Sequence, residues 1–140
     1  MPTSPIDRLT ASLDFQATAL SLHAERAKVL ASNIANADTP NYQAKDFDFN
    51  QALVAATAQS ESASAPLRTH PAHLAGSGAG GTAPAPALQY RQPLQAALDG
   101  NSVDLDTERA AFAENSVRYE ATLRFLNSQI KTMLSAINGQ

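Results

Sequence analysis

Apolar residues recur every seven positions near both ends of this chain, and that spacing limits what it can fold into. Near the start, Ile6, Leu13, Leu20, Ala27 and Ile34 form one row, with Ala17, Ala24 and Ala31 between them. Near the end, Phe112, Ser116, Tyr119, Leu123, Leu126, Ile130, Met133 and Ile137 alternate steps of four and three. A repeat held over several heptads marks helices that pack lengthwise on other helices. Such a chain reads as mainly α: long N- and C-terminal helices forming an elongated antiparallel, coiled-coil-like pair. A short extended segment and a low-complexity middle loop complete the expected fold.

The first helix carries a second row, Phe15, Leu22 and Val29. It lies two positions on from Leu13 and Leu20, about 200° around the helix at about 100° per residue. One helix partner needs one apolar stripe; rows on nearly opposite sides call for neighbours on both. In a lone hairpin, Phe15, Leu22, Val29 and Phe125 are expected to face water. Burying a large apolar side chain is worth about 1.5–3 kcal/mol, and a small domain holds only about 5–15 kcal/mol in all. Four such exposures predict that other subunits cover them.

Four segments are expected. Residues 1–39 form the N-terminal helix, starting at Ser4-Pro5-Ile6-Asp7 with Ser4 as cap and Pro5 in the first turn. Thirty-odd residues give a length of about 45–50 Å. Residues 40–59 hold a loop and a short extended piece. Pro40 stops the helix by forcing Thr39 toward extended backbone, and Asn41 tolerates a left-handed turn. Phe47 and Phe49 alternate with Asp46, Asp48 and Asn50, which predicts a strand with both rings on one surface. Gln51 to Gln59 could add one or two helical turns. Residues 60–98 are rich in Ala, Ser, Gly and Pro, with Gly76-Ser77-Gly78-Ala79-Gly80-Gly81 the extreme. That composition predicts a mobile linker, with Leu88-Gln89-Tyr90 as a short extended piece. Residues 99–140 hold the turn Asp99-Gly100-Asn101, a cap at Asp104 or Asp106, and the second long helix, ending at Gly139.

The chemistry is sparse. Cysteine is absent, which excludes disulfides and Cys-based metal sites. His70 and His73 have a spacing that could ligate a metal on a helix, but Pro71 argues for a loop, and no neighbouring Cys or carboxylate completes a site. His23 is expected to make a solvated or intersubunit hydrogen bond. Asp46/Asp48 and Asp104/Asp106 lack the pocket that acid–base work needs, so solvent-facing and capping roles are expected. The Gly-rich run lacks the ending of a phosphate loop. No enzyme activity and no cofactor is expected. A net charge of -3 without a Lys/Arg run argues against nucleic acid. No run of 18 apolar residues predicts a membrane span, and Asp7 and Asp14 interrupt what a cleaved secretory signal would need. Asn33 and Asn36 are expected either to fix the angle between the first helix and the Pro40–Phe49 segment, or to do ordinary helix-end work.

The run Ala31-Ser32-Asn33-Ile34-Ala35-Asn36-Ala37-Asp38-Thr39-Pro40-Asn41-Tyr42-Gln43-Ala44 resembles the N-terminal signature of the flagellar rod and hook axial proteins. Asn41 stands where that family usually has Gly. Lys45-Asp46-Phe47-Asp48-Phe49 resembles the proximal-rod version of the family. So do Asp99 to Glu108, Arg118 to Ala121 and Phe125-Leu126 near the other end. The resemblance implies a structural subunit of the proximal rod, polymerising through its terminal helices and linking the export-gate and MS-ring side to the more distal rod. Implied partners are copies of itself, FlgC-like rod proteins, a FliE-like basal adaptor and the export gate. The implied location is the periplasmic rod of the basal body, reached without a cleaved signal peptide. The residues expected at subunit interfaces are Ile6, Leu13, Phe15, Leu20, Leu22, Val29, Asn33, Ile34, Asn36, Tyr42, Phe47, Phe49, Phe112, Tyr119, Leu123, Leu126, Ile130, Met133 and Ile137. A cytoplasmic coiled-coil binding module, a chaperone or regulator holding one partner helix, is the competing reading.

Overall fold

The computed structural model describes residues 5–62, 85–93 and 97–139; in the first stretch, side chains are described from Arg8 to Ala58. The Ser4 cap, the His70/His73 pair and the Gly76–Gly81 run lie outside the described residues, as does the side chain of Ile6. Helix α1 spans Pro5–Ala35 and helix α3 spans Leu105–Asn138. They pack antiparallel: His23 meets Asn115, and Asn33 meets Glu108. Between them come strand β1 (Lys45–Asp46), helix α2 (Phe49–Ser62) and strand β2 (Gln89–Tyr90). The two strands form an antiparallel ribbon in which Lys45 pairs with Tyr90 and Asp46 with Gln89.

The helix ends follow their sequence signals. The Asp104 carboxylate accepts the backbone N–H groups of Asp106 and Thr107, and Gly139 ends α3 in the left-handed region at φ 70, satisfying orphan groups that would otherwise point into solvent. At the end of α1 the backbone tightens: Ala37 N–H bonds to Ile34 carbonyl and Thr39 N–H to Asn36 carbonyl. Pro40 then prevents continuation. Asn41 takes φ 59, so the family's Gly position keeps its left-handed geometry.

The centre of the hairpin differs from the expected seams. The buried positions of α1 are Ala19, Leu22, His23, Leu30 and Asn33. The line through His23, Leu30, Ala19 and Asn33 runs between the two expected rows, so Leu13, Leu20 and Ile34 are only half-buried. On α3 the fully buried side chains are polar, Glu108 and Asn115. Leu123, Ile130 and Ile137 remain 37%, 41% and 77% exposed. Polar groups that satisfy one another across the helices hold the axis of the pair, and the heptad rows become its flanks. Reading apolar residues alone cannot detect this, because a paired buried amide or carboxylate looks like a surface residue.

Four further expectations change. Leu22 is 7% exposed, because α2 lies over it: Leu22, Phe47, Gln51, Ala52, Ala55 and Ala56 share one cleft of about 310 Å³, closed on the far side by Ala85, Pro86 and Ala87. The second row is therefore covered in part from within the chain. Phe47 is buried and Phe49 opens α2, so the strand ends at Asp46 and the rings do not share a strand face. Helix α2 is also longer than one or two turns and runs through the expected boundary at 59/60. Finally, residues 85–93 lie within the stretch expected to be a mobile linker, yet Arg91 N–H donates to Ala44 carbonyl at 2.9 Å and β2 completes the ribbon.

Candidate functional site: a polar junction and two apolar flanks

Where α1, β1, β2 and the start of α3 converge, four charged side chains and one amide interlock. Arg26 binds Asp46 with both ends of its fork, Nε at 3.1 Å and a terminal nitrogen at 2.9 Å. Arg91 joins Asp46 to Glu108, donating to the Glu108 Oε1 at 2.9 Å. Asn33, fully buried, donates to Glu108 Oε2 at 3.0 Å and to Lys45 carbonyl at 2.7 Å, and accepts the Lys45 N–H at 3.1 Å. Two cations face two carboxylates, so the junction is neutral as a unit. Bidentate guanidinium–carboxylate geometry of this kind is directional as well as strong. It sets where the ribbon sits on the hairpin.

Burial alone would raise the Asp46 carboxyl, but the hydrogen bonds from Arg26 and Arg91 and the Phe47 N–H outweigh it and hold Asp46 below its ordinary value. The bond to Asp46 likewise raises Arg26, against the opposing effect of burial. Asp46 is thus a structural anion rather than the solvent-facing group the alternation suggested.

A second lock sits at the end of α1. The Asn101 amide donates to the carbonyls of Asn36, Ala37 and Thr39, at 3.0, 2.6 and 3.0 Å. These carbonyls lie in the turn just past Ala35, so the segment before α3 ties down the turn that ends α1. Asn41 N–H donates to Asp99 carbonyl and Ser102 N–H to Tyr42 carbonyl. Gly100 has φ 73, and a Cβ there would stand 2.6 Å from Asn41 Oδ1. The two family-like motifs, far apart in sequence, form one joint.

A third contact lies further along the hairpin. His23, 5% exposed, lies 2.9 Å from Asn115 Oδ1 through its Nδ1, while the Asn115 amide donates to His23 carbonyl at 2.9 Å. The ring stacks on Phe49 at 4.2 Å. The hydrogen bond expected to be solvated or intersubunit is made within the chain.

Of the residues expected at interfaces, Leu22, Asn33 and Phe47 are buried inside the chain. Asn33 bonds both the N–H and the carbonyl of Lys45, which joins α1 to the Pro40–Phe49 segment. Asn36 does helix-end work: its amide donates to Ser32 carbonyl at 2.8 Å and its Oδ1 accepts the Thr39 hydroxyl at 3.2 Å. Tyr42 is half-buried, its hydroxyl reaching Asn33 Oδ1 at 3.3 Å. Exposed apolar side chains include Phe15 at 44%, Phe112 at 36% and Phe125 at 64%, with Leu123, Ile130 and Ile137. Val29, Tyr119, Leu126 and Met133 are half-buried. Arg26, Arg91, Glu108, Asn101 and Asn115 were missed. The available signal was weak: Arg91 is a charge in a stretch almost without charges, whereas Arg26 sits among Glu25 and Lys28.

Among the described residues, no group of His, Cys, Asp and Glu could hold a metal ion, and no helix is long and apolar enough to cross a membrane. The arrangement is joinery, with apolar surface left over on the hairpin.

Residues 13–43 match the family described as flagella basal body rod protein. Over 136 residues the chain is 46% identical to the flagellar basal body rod protein FlgB of Salmonella typhimurium, covering 96% of this chain and 98% of that protein. The chain belongs to the FlgB family of flagellar basal body rod proteins. FlgB of Escherichia coli is 44% identical over 137 residues, 96% of this chain and 98% of its own length. FlgB of Proteus mirabilis is 42% identical over 139 residues, 94% and 97% of the two chains. For a FlgB-family chain, the match at residues 13–43 spans most of α1 and the whole Asn33–Asn41 turn that Asn101 ties down.

Proposed function

We propose that this chain is a structural subunit of the bacterial flagellar basal-body rod, polymerising through α1 and α3. The observation that carries this is near-full-length similarity to FlgB rod proteins, 46% identity over 96% of the chain. The polar junction makes the hairpin a unit with a set shape, and the uncovered flanks supply surface that water disfavours. Leu13, Phe15, Leu20, Ile34, Phe112, Leu123, Ile130 and Ile137 make the main contacts with neighbouring subunits. Val29, Tyr119, Leu126, Met133, Asn36, Tyr42 and Phe49 sit at the rim. Leu22, Asn33 and Phe47 act from inside, by holding the shape.

The position we assign is the proximal rod, between the export-gate and MS-ring side and the more distal rod. The neighbours are copies of the chain, a FlgC-like rod protein and a FliE-like adaptor, and the chain reaches the periplasmic rod through the flagellar export gate without a cleaved signal. Its work is mechanical, with no catalytic step. A cytoplasmic coiled-coil binding module is not favoured, because the full-length relatives are rod proteins. The test is a strain lacking the gene, complemented with wild type or with Leu123→Asp/Ile130→Asp. Wild type restores swimming and rod-containing basal bodies; the double variant restores neither. Swimming without the gene sinks the reading.

A further inference from the structure

Residues 85–93 form a strap across the polar junction, and none of its side chains is buried. Pro86 and Arg91 are half-buried and the others exposed, Leu88 at 50% and Tyr90 at 66%. A segment that covers so little apolar surface gains little from the hydrophobic effect. What holds it is polar. The ribbon joins it to β1, and Lys45 Nζ lies over the Tyr90 ring, 5.6 Å from its centre. Arg91 donates from its backbone to Ala44 carbonyl and from its guanidinium to Asp46 and Glu108.

The groups that Arg91 reaches are interior ones. Ala44 is fully buried, and its own N–H donates to Ser102 Oγ at 2.7 Å, just ahead of α3. Glu108 lies in the first turn of α3 with its side chain 2% exposed. Arg26 is already committed to Asp46 with both ends of its fork. With the strap in place, Arg26 and Arg91 balance Asp46 and Glu108. With the strap away, one guanidinium faces two carboxylates, and the uncompensated charge falls on Glu108. Water in the vacated place solvates Glu108 Oε1. Oε2 stays on the amide of fully buried Asn33, between α1 and α3. A buried carboxylate without a countercharge is strongly destabilising, and it is relieved when the first turns of α3 move off α1. A helix end without its packing then frays in water.

We propose that the strap is a latch on α3: the first turns of α3, from Glu108 to the next anchor at Asn115, stay closed on α1 only while Arg91 is docked. The strap and this part of α3 open and close together. Coupling of this kind is reciprocal. Closing α3 over Asn33 tightens the strap, and drawing residues 85–93 off the junction loosens the helix pair at this end. The opening stops at the His23–Asn115 contact, which makes no use of Arg91.

Native-state hydrogen exchange on the dilute full-length chain, read amide by amide, tests the latch. The amide at position 91, which donates to Ala44 carbonyl, reports the strap, and the amides at 108–114 report α3. In wild type, at urea concentrations below the unfolding transition, the two sets should follow one urea dependence, shallower than that of the α1 amides at 23–30, as a sub-global opening requires. Arg91→Met should speed both sets, relative to the 23–30 amides, by about tenfold or more, the factor that 1.4 kcal/mol gives. Glu108→Gln leaves no charge to strand. Adding Arg91→Met to it should free position 91 and leave the 108–114 rates where Glu108→Gln alone puts them. Separate urea dependences in wild type overturn the proposal. So do 108–114 amides that keep their protection when the strap loses its own, and an equal gain from Arg91→Met in the Glu108→Gln background. If Arg91→Met does not fold, the wild-type measurement decides alone.

Discussion

Replacing Arg91 with Met tests the polar junction most sharply. Arg91 bridges two carboxylates and is 29% exposed, whereas the Glu108 side chain is 2% exposed. Asp46 would keep Arg26 as a bidentate partner. Glu108 would keep only the Asn33 amide and would become a buried carboxylate without a countercharge. Removing one partner of a fully buried pair costs about 3–5 kcal/mol. Water can reach the emptied Arg91 position, so the expected loss is smaller, about 2–3 kcal/mol. A second change should return part of it. Glu108→Gln in the same chain removes the stranded charge and keeps an oxygen for Asn33, so Arg91→Met/Glu108→Gln should be about 1–2 kcal/mol more stable than Arg91→Met alone. The assay is urea denaturation of dilute full-length chain followed by far-UV circular dichroism, with midpoints compared at a common slope. A single-variant loss below about 0.5 kcal/mol, the size of an exposed pair, refutes the reasoning. So does a double variant no more stable than the single.

Gly100→Ala should lose about 1–3 kcal/mol in the same assay, because φ 73 is retained only with strain and the new Cβ meets Asn41; an unchanged midpoint would show that the turn relaxes freely. Asn115→Ala should cost about 2–3 kcal/mol by leaving His23 without its side-chain partner in a buried site; a loss of a few tenths would mean that water enters the gap. Asp46 is held below its ordinary value of 3.8, so its contribution is complete above that pH and disappears as pH falls through the depressed value. Stability should therefore drop more steeply below about pH 4 in wild type than in Asp46→Asn, and equal slopes would contradict the assignment. Leu123→Asp/Ile130→Asp should abolish association while leaving the urea midpoint of the dilute chain within about 0.5 kcal/mol, as for other exposed sites; a large midpoint shift would place these residues inside the monomer.

The long helices, their ends and the special turns were legible because each depends on local chemistry. Pro40, Asn41, Asp104 and Gly139 act on backbone within a turn of themselves, so their meaning does not wait for the rest of the fold. The site was half legible. The Asn33–Tyr42 and Asp99–Glu108 motifs pointed to family and to structural work, but not to each other; that Asn101 ties down the turn just past Ala35 is a contact across more than sixty residues. Leu22 is expected to face water because a two-helix hairpin has one seam; α2, a third element, covers it instead.

What the amino-acid order determined by itself is the presence of two long helices with more apolar surface than one pairing can use. Heptad spacing and caps are properties of single segments, so they survive without knowledge of partners. Only the tertiary structure decided which line becomes the axis of the pair and which become flanks. Arg26, Asn33, Arg91, Glu108 and Asn115 carry polarity that any isolated segment would turn toward water. They enter the interior because each meets its complement from another element, and desolvation is tolerated only when that complement is in place.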